Sequence, residues 1–112
     1  MNIYVDDTDI DYVTEQNMCI LGLIHYYNYA YDRMMICYTL SLYNSTDAYH
    51  YLASYYEHVE RDYDLMLKYY LLAIEHGSVI SMNYLGYYYK TIEKNYDLMK
   101  KYYLMGIENG DV

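Results

Sequence analysis

The chain has 112 residues, enough for one domain with its own core, and seven basic against sixteen acidic residues give it a net charge of −9. That charge argues against nucleic acids and anionic membranes as partners, because both select a basic surface. Two cysteines are too few for a disulfide framework, and the sequence carries neither a signal peptide nor an apolar run of membrane-spanning length. We therefore expect a soluble intracellular protein of the cytoplasm.

The chain opens with an acidic leader, residues 1–13. Residues 1–60 hold nine acidic residues and one basic residue, a net −8, whereas the second half is almost neutral. Three aspartates of the leader stand at alternate positions, as in a calcium-binding loop: Asp7, Asp9 and Asp11. The pattern then fails, because its sixth position is Tyr12 rather than glycine and its twelfth is Met18 rather than glutamate. The leader is therefore predicted to be a solvated acidic segment without a metal.

The remainder of the chain, residues 14–112, contains an internal repeat. Residues 47–79 and 80–112 align without a gap and are identical at 17 of 33 positions. A weaker copy precedes them in residues 14–46. A period of this length is typical of helical-repeat solenoids, in which each unit supplies one antiparallel helix pair. The sequence therefore predicts an all-α fold, an alpha-alpha superhelix (right-handed solenoid) of three stacked helix pairs.

Apolar residues recur at the helical spacing i, i+3, i+4 and i+7 within each unit, and no proline interrupts the pattern. Asp62 and Asn95 stand where the second helix of a pair would take its N-cap. Gly77 and Gly110 stand where that helix would end in a left-handed residue. The predicted helices cover residues 14–27, 31–43, 47–58, 62–76, 80–90 and 95–109.

Comparison of the three units separates the expected core from the surface, because positions that keep their character are structural. The first helix of each pair keeps a small residue in its apolar stripe, at Gly22, Ala53 and Gly86, which indicates close approach of two helix backbones. The second helix keeps bulky residues followed by a small one. The predicted structural core is Leu21, Gly22, Leu52, Ala53, Tyr56, Tyr69, Tyr70, Ala73, Gly77, Leu85, Gly86, Tyr89, Tyr102, Tyr103, Gly106 and Gly110.

Positions that vary within this frame are the candidates for binding. They form three columns on the first helix of each pair: Cys19, His50 and Asn83; Leu23, Ser54 and Tyr87; Tyr26, Glu57 and Lys90. In helical solenoids this helix lines the concave side, whose extended groove binds peptides or partner helices. The residues expected to contact a partner protein are His50, Ser54, Glu57, Asn83, Tyr87 and Lys90.

Catalytic and metal-binding chemistry is not predicted. No two of the four histidines share a helical turn, and none has a carboxylate at a spacing typical of a metal site or of a general acid–base pair. His25 replaces a stripe tyrosine and is expected in the core, whereas His50 and His58 are expected at the surface or in the groove. Cys37 also replaces a stripe tyrosine and is expected to be a small buried residue. With no nucleophile elbow, phosphate loop or dinucleotide fingerprint, the sequence indicates a non-enzyme without metal or cofactor.

A set of residues in the third unit stands at the spacing of a known repeat: Leu85-Gly86, Tyr89, Asn95-Tyr96, Met99, Tyr102-Tyr103, Gly106-Ile107 and Gly110. On these residues, and on their counterparts in the second unit, the chain resembles the Sel-one-like (SLR) repeat family, kin of the tetratricopeptide repeat. It departs from the family in the connectors at residues 57–61 and 90–94, which are shorter and lack glycine. The resemblance implies an adaptor that scaffolds protein complexes and is not catalytic.

Two alternatives are left open. The net −8 of residues 1–60 fits an acidic decoy that occupies a basic surface of its partner. The sequence also shows no polar capping helix after the third unit, as terminal repeats normally have, which fits a self-stacking fragment of a longer array.

Overall fold

The computed structural model of the protein describes residues 17–42 and 45–110, which form six α-helices and no β-strand. The helices are α1 (Met18–Tyr27), α2 (Tyr31–Ser41), α3 (Asp47–Tyr55), α4 (Tyr63–Glu75), α5 (Val79–Thr91) and α6 (Tyr96–Gly110). A turn of π-helix, Tyr56–Glu60, extends α3. The all-α class and the six helices predicted from the sequence are confirmed. The acidic leader, with the alternating aspartates Asp7, Asp9 and Asp11, lies outside the described residues.

Consecutive helices pack as pairs, α1 with α2, α3 with α4 and α5 with α6, and the pairs meet where α2 contacts α3 and α4 contacts α5. Two clusters of buried residues fill these contacts. The first is Cys19, Met34, Tyr38, Ala48, Leu52 and Tyr55, and the second is Ala53, Met66, Tyr70, Leu85, Tyr88 and Tyr102. Each cluster contains side chains from two neighbouring pairs. Complete burial of a large apolar side chain contributes about 1.5–3 kcal/mol, so this burial also stabilises the contact between the pairs.

The stacked tyrosines inside a pair recur at matching positions of the second and third units. Tyr56 stacks on Tyr69 with ring centroids 5.7 Å apart and planes inclined by 7°. Tyr89 stacks on Tyr102 at the same 5.7 Å, with an angle of 11°. Offset aromatic stacking of this kind contributes about 0.5–1.5 kcal/mol beyond the buried area. The same tyrosine stack therefore joins the two helices of the pair in both units.

The contacts between pairs also recur. The ring of Tyr55 lies 5.3 Å from that of Tyr31 in the preceding pair, and the ring of Tyr88 lies 5.5 Å from that of Tyr63. The phenol of Tyr55 donates to Glu60 at 2.6 Å, and the phenol of Tyr88 donates to Glu93 at 2.8 Å. Each boundary thus holds one buried tyrosine whose ring contacts the previous pair and whose hydroxyl is satisfied within its own pair.

The small residues of the first helices make room for tyrosine rings, and not for a helix backbone as predicted from the sequence. A Cβ added to Gly22 would lie 2.5 Å from Cε1 of Tyr38, and one added to Gly86 would lie 2.6 Å from Cδ1 of Tyr103. The third small residue, Ala53, is fully buried. The close approach is real, but its partner is the aromatic ring of the second helix in the same pair.

The residues of the predicted structural core differ in burial. The buried residues among it are Leu21, Gly22, Leu52, Ala53, Tyr70, Ala73, Leu85, Gly86, Tyr102 and Gly106. Tyr56, Tyr69, Tyr89 and Tyr103 are half-buried, and both terminal glycines are exposed. His25 and Cys37 are buried at 5% exposure each, as expected.

The predicted N-caps of the second helices are confirmed. The Asp62 carboxylate accepts a hydrogen bond from the backbone N–H of Leu65 at 3.1 Å, and the Asn95 side chain accepts one from Leu98 at 3.1 Å. A cap of this type satisfies one of the unpaired N–H groups of the first turn and contributes about 1 kcal/mol. The two caps therefore fix where α4 and α6 begin.

The predicted C-terminal glycines behave differently from each other. Gly77 has φ +89° and ends α4 in the left-handed region, as expected. Gly110 is still helical and shows no positive φ, so its predicted role is wrong. A Cβ on Gly110 would lie 2.9 Å from Cγ1 of Val79, so its small size suits the contact between α6 and the start of α5.

The connectors within the second and third pairs turn through left-handed residues that are not glycine. Arg61 has φ 58° and Lys94 has φ 53°. The following residues close the turn, because the N–H of Asp62 donates to the carbonyl of Tyr56 at 2.9 Å and that of Asn95 to the carbonyl of Tyr89 at 2.8 Å. A side chain in this region costs about 1–2 kcal/mol, so the turns carry strain.

Lys94→Gly is expected to raise the free energy of unfolding by about 0.5–1 kcal/mol, because glycine adopts positive φ without the Cβ clash. The same change at the exposed, helical Lys100 is the matched control and should lower stability by roughly 0.5–1 kcal/mol. Urea unfolding followed by circular dichroism measures both. Changes of the same sign in the two variants would contradict the prediction.

Candidate binding groove

Two cavities adjoin on the face formed by α1, α3, α5 and the π-helical turn. The first has a volume of about 250 Å³, and its walls include Tyr26, His50, Tyr51 and Ser54. The second has a volume of about 470 Å³ and is lined by Glu57, His58, Asn83, Tyr84, Tyr87 and Tyr103. Both cavities include His58 and Tyr84 in their walls. They therefore form one continuous surface, which we call the tyrosine groove.

The structure brings together all but one of the residues predicted to contact a partner. His50 and Ser54 line the first cavity, and Glu57, Asn83 and Tyr87 line the second. Lys90 is exposed on α5 and lines neither cavity. Five of the six residues predicted to contact a partner therefore lie in the groove, and Lys90 lies outside it.

His50 differs from the sequence expectation, because only 4% of it is exposed. Its side of α3 faces α5, where its Nδ1 lies 2.9 Å from Oγ of Ser81. Burial lowers the pKa of His50 to about 4, against a smaller opposing effect of the Asp47 carboxylate. The imidazole is therefore neutral at pH 7 and forms an inner wall of the groove. His58, which is also expected at the surface or in the groove, is exposed and lies in the groove.

The contact of His50 with Ser81 belongs to a buried polar chain. Ser78 is the N-cap of α5: its Oγ accepts from the backbone N–H of Ser81 at 3.3 Å, and its hydroxyl donates to Oγ of Ser81 at 2.9 Å. A serine beside a histidine can serve nucleophilic chemistry. Here Ser81 has no exposed surface, so a substrate cannot reach its hydroxyl. The chain links α3 to the start of α5.

Glu57 places a largely buried carboxylate at the wall of the second cavity. Its side chain is 11% exposed, and its Oε1 accepts a hydrogen bond from the phenol of Tyr70 at 2.7 Å. Burial, followed by the Glu57 charge, raises the pKa of Tyr70, which therefore stays a donor at pH 7. Nε2 of His58 lies 3.6 Å from the same oxygen. The sequence predicts Glu57 as a contact residue and Tyr70 as a core residue, but not the hydrogen bond between them.

The aromatic walls contain residues that sequence reasoning missed. Tyr84 contacts the His50 ring edge-on at 4.7 Å and is 40% exposed, and Tyr87 on the same face of α5 is 58% exposed. The spacing of three residues between them is the one signal that would have found Tyr84. Burial raises the pKa of Tyr26 and Tyr51, so these phenols are neutral at pH 7. The groove therefore offers aromatic faces and hydroxyl groups.

Within residues 17–42 and 45–110, no three histidine, cysteine, aspartate or glutamate side chains are grouped closely enough to hold a metal ion. Nor does any helix of this part of the chain have the length and apolar character needed to cross a membrane.

Comparison with models of known protein families gives no match, and neither the curated proteins nor the solved structures contain one that matches this chain significantly.

Proposed function

We propose that this chain is a non-catalytic interaction module, a right-handed solenoid of three SLR-like helix pairs that binds a segment of another protein in the tyrosine groove. In a solenoid each unit contacts the next in the same way. The tyrosine contacts at the two pair boundaries support this arrangement, because their ring separations are nearly equal, 5.3 Å at the first and 5.5 Å at the second. The SLR resemblance supports the adaptor role.

The observation that carries the proposal is the tyrosine groove itself. Its two cavities of about 250 and 470 Å³ follow the first helices of the pairs, and they contain five of the six residues that we expect to contact a partner. Tyrosine side chains supply rigid contact area with a hydrogen-bonding end, which is why they are frequent in protein recognition surfaces. An extended or helical segment suits a groove of this kind.

The groove is tested by affinity purification from the native cell with the double variant Asn83→Ala/Tyr87→Ala. Both side chains are exposed, so we expect unchanged far-UV circular dichroism together with loss of the partner. The matched control is Tyr96→Ala/Asn109→Ala, which removes an exposed tyrosine and an exposed asparagine of α6 outside both cavities. The partner should be recovered with the wild type and the control, and its equal recovery with the groove variant would refute the proposal.

The acidic decoy is the second candidate function, supported by the net −8 of residues 1–60. Such a complex would weaken steeply with added salt and would be insensitive to the groove variant. Self-association also remains a prediction. It is supported by Ile107 on α6, which is 66% exposed, whereas its counterpart Ile74 in the second unit packs against the second cluster. A further stacked copy would bury Ile107 in the same way.

A further inference from the structure

The second cavity holds a negative charge that the described part of the protein does not neutralise. Glu57 is 11% exposed, and the basic side chain within ion-pair distance of it among the described residues is His58 at 3.6 Å, which is charged only when protonated. No lysine or arginine of the described residues forms an ion pair with it. Lys90, the basic residue of α5, lines neither cavity. The hydrogen-bond donor to this carboxylate within residues 17–42 and 45–110 is the Tyr70 phenol, at 2.7 Å.

A buried charge with one neutral donor is costly, and an incoming cation offsets that cost by pairing with it. A carboxylate has about four acceptor sites and Tyr70 occupies one of them, so both oxygens of Glu57 can still accept from such a group. Hydrogen bonds between a cationic donor and a carboxylate are shorter and stronger than neutral ones. The electrostatics of the cavity therefore favour a positively charged ligand.

Tyrosine rings around the carboxylate favour a planar cation. Tyr84, Tyr87 and Tyr103 line the cavity with Glu57, and the first two are 40% and 58% exposed, so a ligand reaches them from solvent. Aromatic faces attract cations through the ring quadrupole. A guanidinium group also stacks flat on such rings while its edge donates two parallel hydrogen bonds to a carboxylate, which an ammonium group cannot do.

We infer that the second cavity binds the guanidinium group of an arginine side chain, carried by a basic segment of the partner protein, with Glu57 as the charge partner and Tyr84 and Tyr87 as the stacking faces. This inference rests on the proposed function and specifies the chemistry of its ligand. The net charge of −9 adds a long-range attraction for such a segment.

The test uses a capped nine-residue peptide of alanine and serine with one central arginine, titrated into the isotopically labelled full chain and followed by amide NMR shifts. The citrulline peptide, which keeps the shape of arginine and removes its charge, should bind about tenfold more weakly or worse. The lysine peptide should bind at least roughly threefold more weakly than the arginine peptide. The largest shifts are expected at Asn83, Tyr84 and Tyr87.

Variants of the protein separate the site from general attraction to an acidic surface. Glu57→Gln keeps an acceptor for Tyr70 and should weaken the arginine peptide about tenfold. Tyr87→Leu should weaken it about threefold, whereas Tyr96→Leu, at an equally exposed tyrosine of α6, should leave it unchanged. Unchanged melting temperatures of the Tyr87 and Tyr96 variants exclude an effect of folding.

Equal binding of the arginine and citrulline peptides, or arginine binding unaffected by Glu57→Gln, would overturn the inference, as would equal binding of the lysine peptide. If the peptides do not discriminate while the Asn83→Ala/Tyr87→Ala variant still loses the natural partner, the arginine assignment fails and the proposed function stands. If that variant keeps the partner, the proposed function fails by itself.

Discussion

Tyr70→Ala is expected to lower the free energy of unfolding by about 3–5 kcal/mol, the usual cost of removing a large ring from a packed core. Tyr70 lies on α4, is fully buried and belongs to the second cluster, and its hydroxyl also donates to Glu57. The substitution therefore leaves a cavity between two pairs and a carboxylate without its donor. Since small domains have about 5–15 kcal/mol in total, this single change removes a large part of the stability.

Two other variants give the comparison for Tyr70. Tyr96→Ala removes a tyrosine that is 60% exposed and should cost less than about 0.5 kcal/mol. Tyr70→Phe keeps the ring and deletes only the hydroxyl, so it should cost about 1–3 kcal/mol and remains measurable if the alanine variant does not fold. Chemical unfolding curves provide all three values. A loss for Tyr70→Ala no greater than that for Tyr96→Ala would contradict the packing of the second cluster.

Acidification from pH 6.5 to pH 4 is expected to remove about 3 kcal/mol of stability through His50 alone. Its pKa falls from 6.5 in the unfolded chain to about 4 in the folded protein, so the unfolded state binds more protons in this interval. Stability therefore rises with pH between about 4 and 6.5 and is fully present above that range. Each unit of pKa difference corresponds to about 1.4 kcal/mol.

His50→Asn isolates this contribution, because the asparagine amide keeps an acceptor towards Ser81 but has no proton to gain. Carboxylates, and His25 with its own lowered pKa, affect the wild type and the variant alike. The difference in unfolding free energy between the two proteins should therefore change by about 3 kcal/mol from pH 6.5 to pH 4. Parallel pH profiles would show that His50 is not held neutral by its surroundings.

The helices and the contacts within each pair could be predicted because the same residue pattern occurs in residues 47–79 and again in residues 80–112. Residues such as Leu52 and Leu85 keep the 3.6-residue stripe, and both are almost completely buried. Asp62 and Asn95 mark helix starts by a side-chain chemistry that acts locally. Periodicity and capping depend on neighbours in the chain, so both are readable without knowledge of the tertiary structure.

The contacts between pairs could not be predicted in the same way, because a helix inside a stack is buried on two sides. Tyr55 and Tyr88 are 6% and 2% exposed although they lie beside the predicted stripe. Cys19 and His50 vary between units and are nevertheless buried, at 5% and 4%. Variation at a position therefore reflects a change of neighbour at the boundary as readily as freedom to bind a ligand.

Part of the wall of the proposed groove could not be predicted from the sequence, for a backbone reason. His58 and Tyr84 join the two cavities; the sequence predicts His58 only as a surface or groove residue and does not single out Tyr84. His58 stands in the π-helical turn Tyr56–Glu60, whose wider geometry turns residues away from the directions of an α-helix. The left-handed Arg61 that closes this turn is not a glycine, so the sequence carries no signal for it.

The notch that Gly22 provides for the Tyr38 ring has a consequence for the mechanics of the molecule. Met18 and His25 lie one helical turn before and after Gly22 on α1, and their side chains are too large to leave space for the Tyr38 ring. On α5, Met82 and Tyr89 lie one turn before and after Gly86 in the same way. Partner helices therefore cannot slip past each other by a full helical turn, a shift of about 5.4 Å. The fold therefore sets the spacing of the cavity walls, and a ligand of the proposed groove would avoid much of the entropy cost of ordering a loose surface.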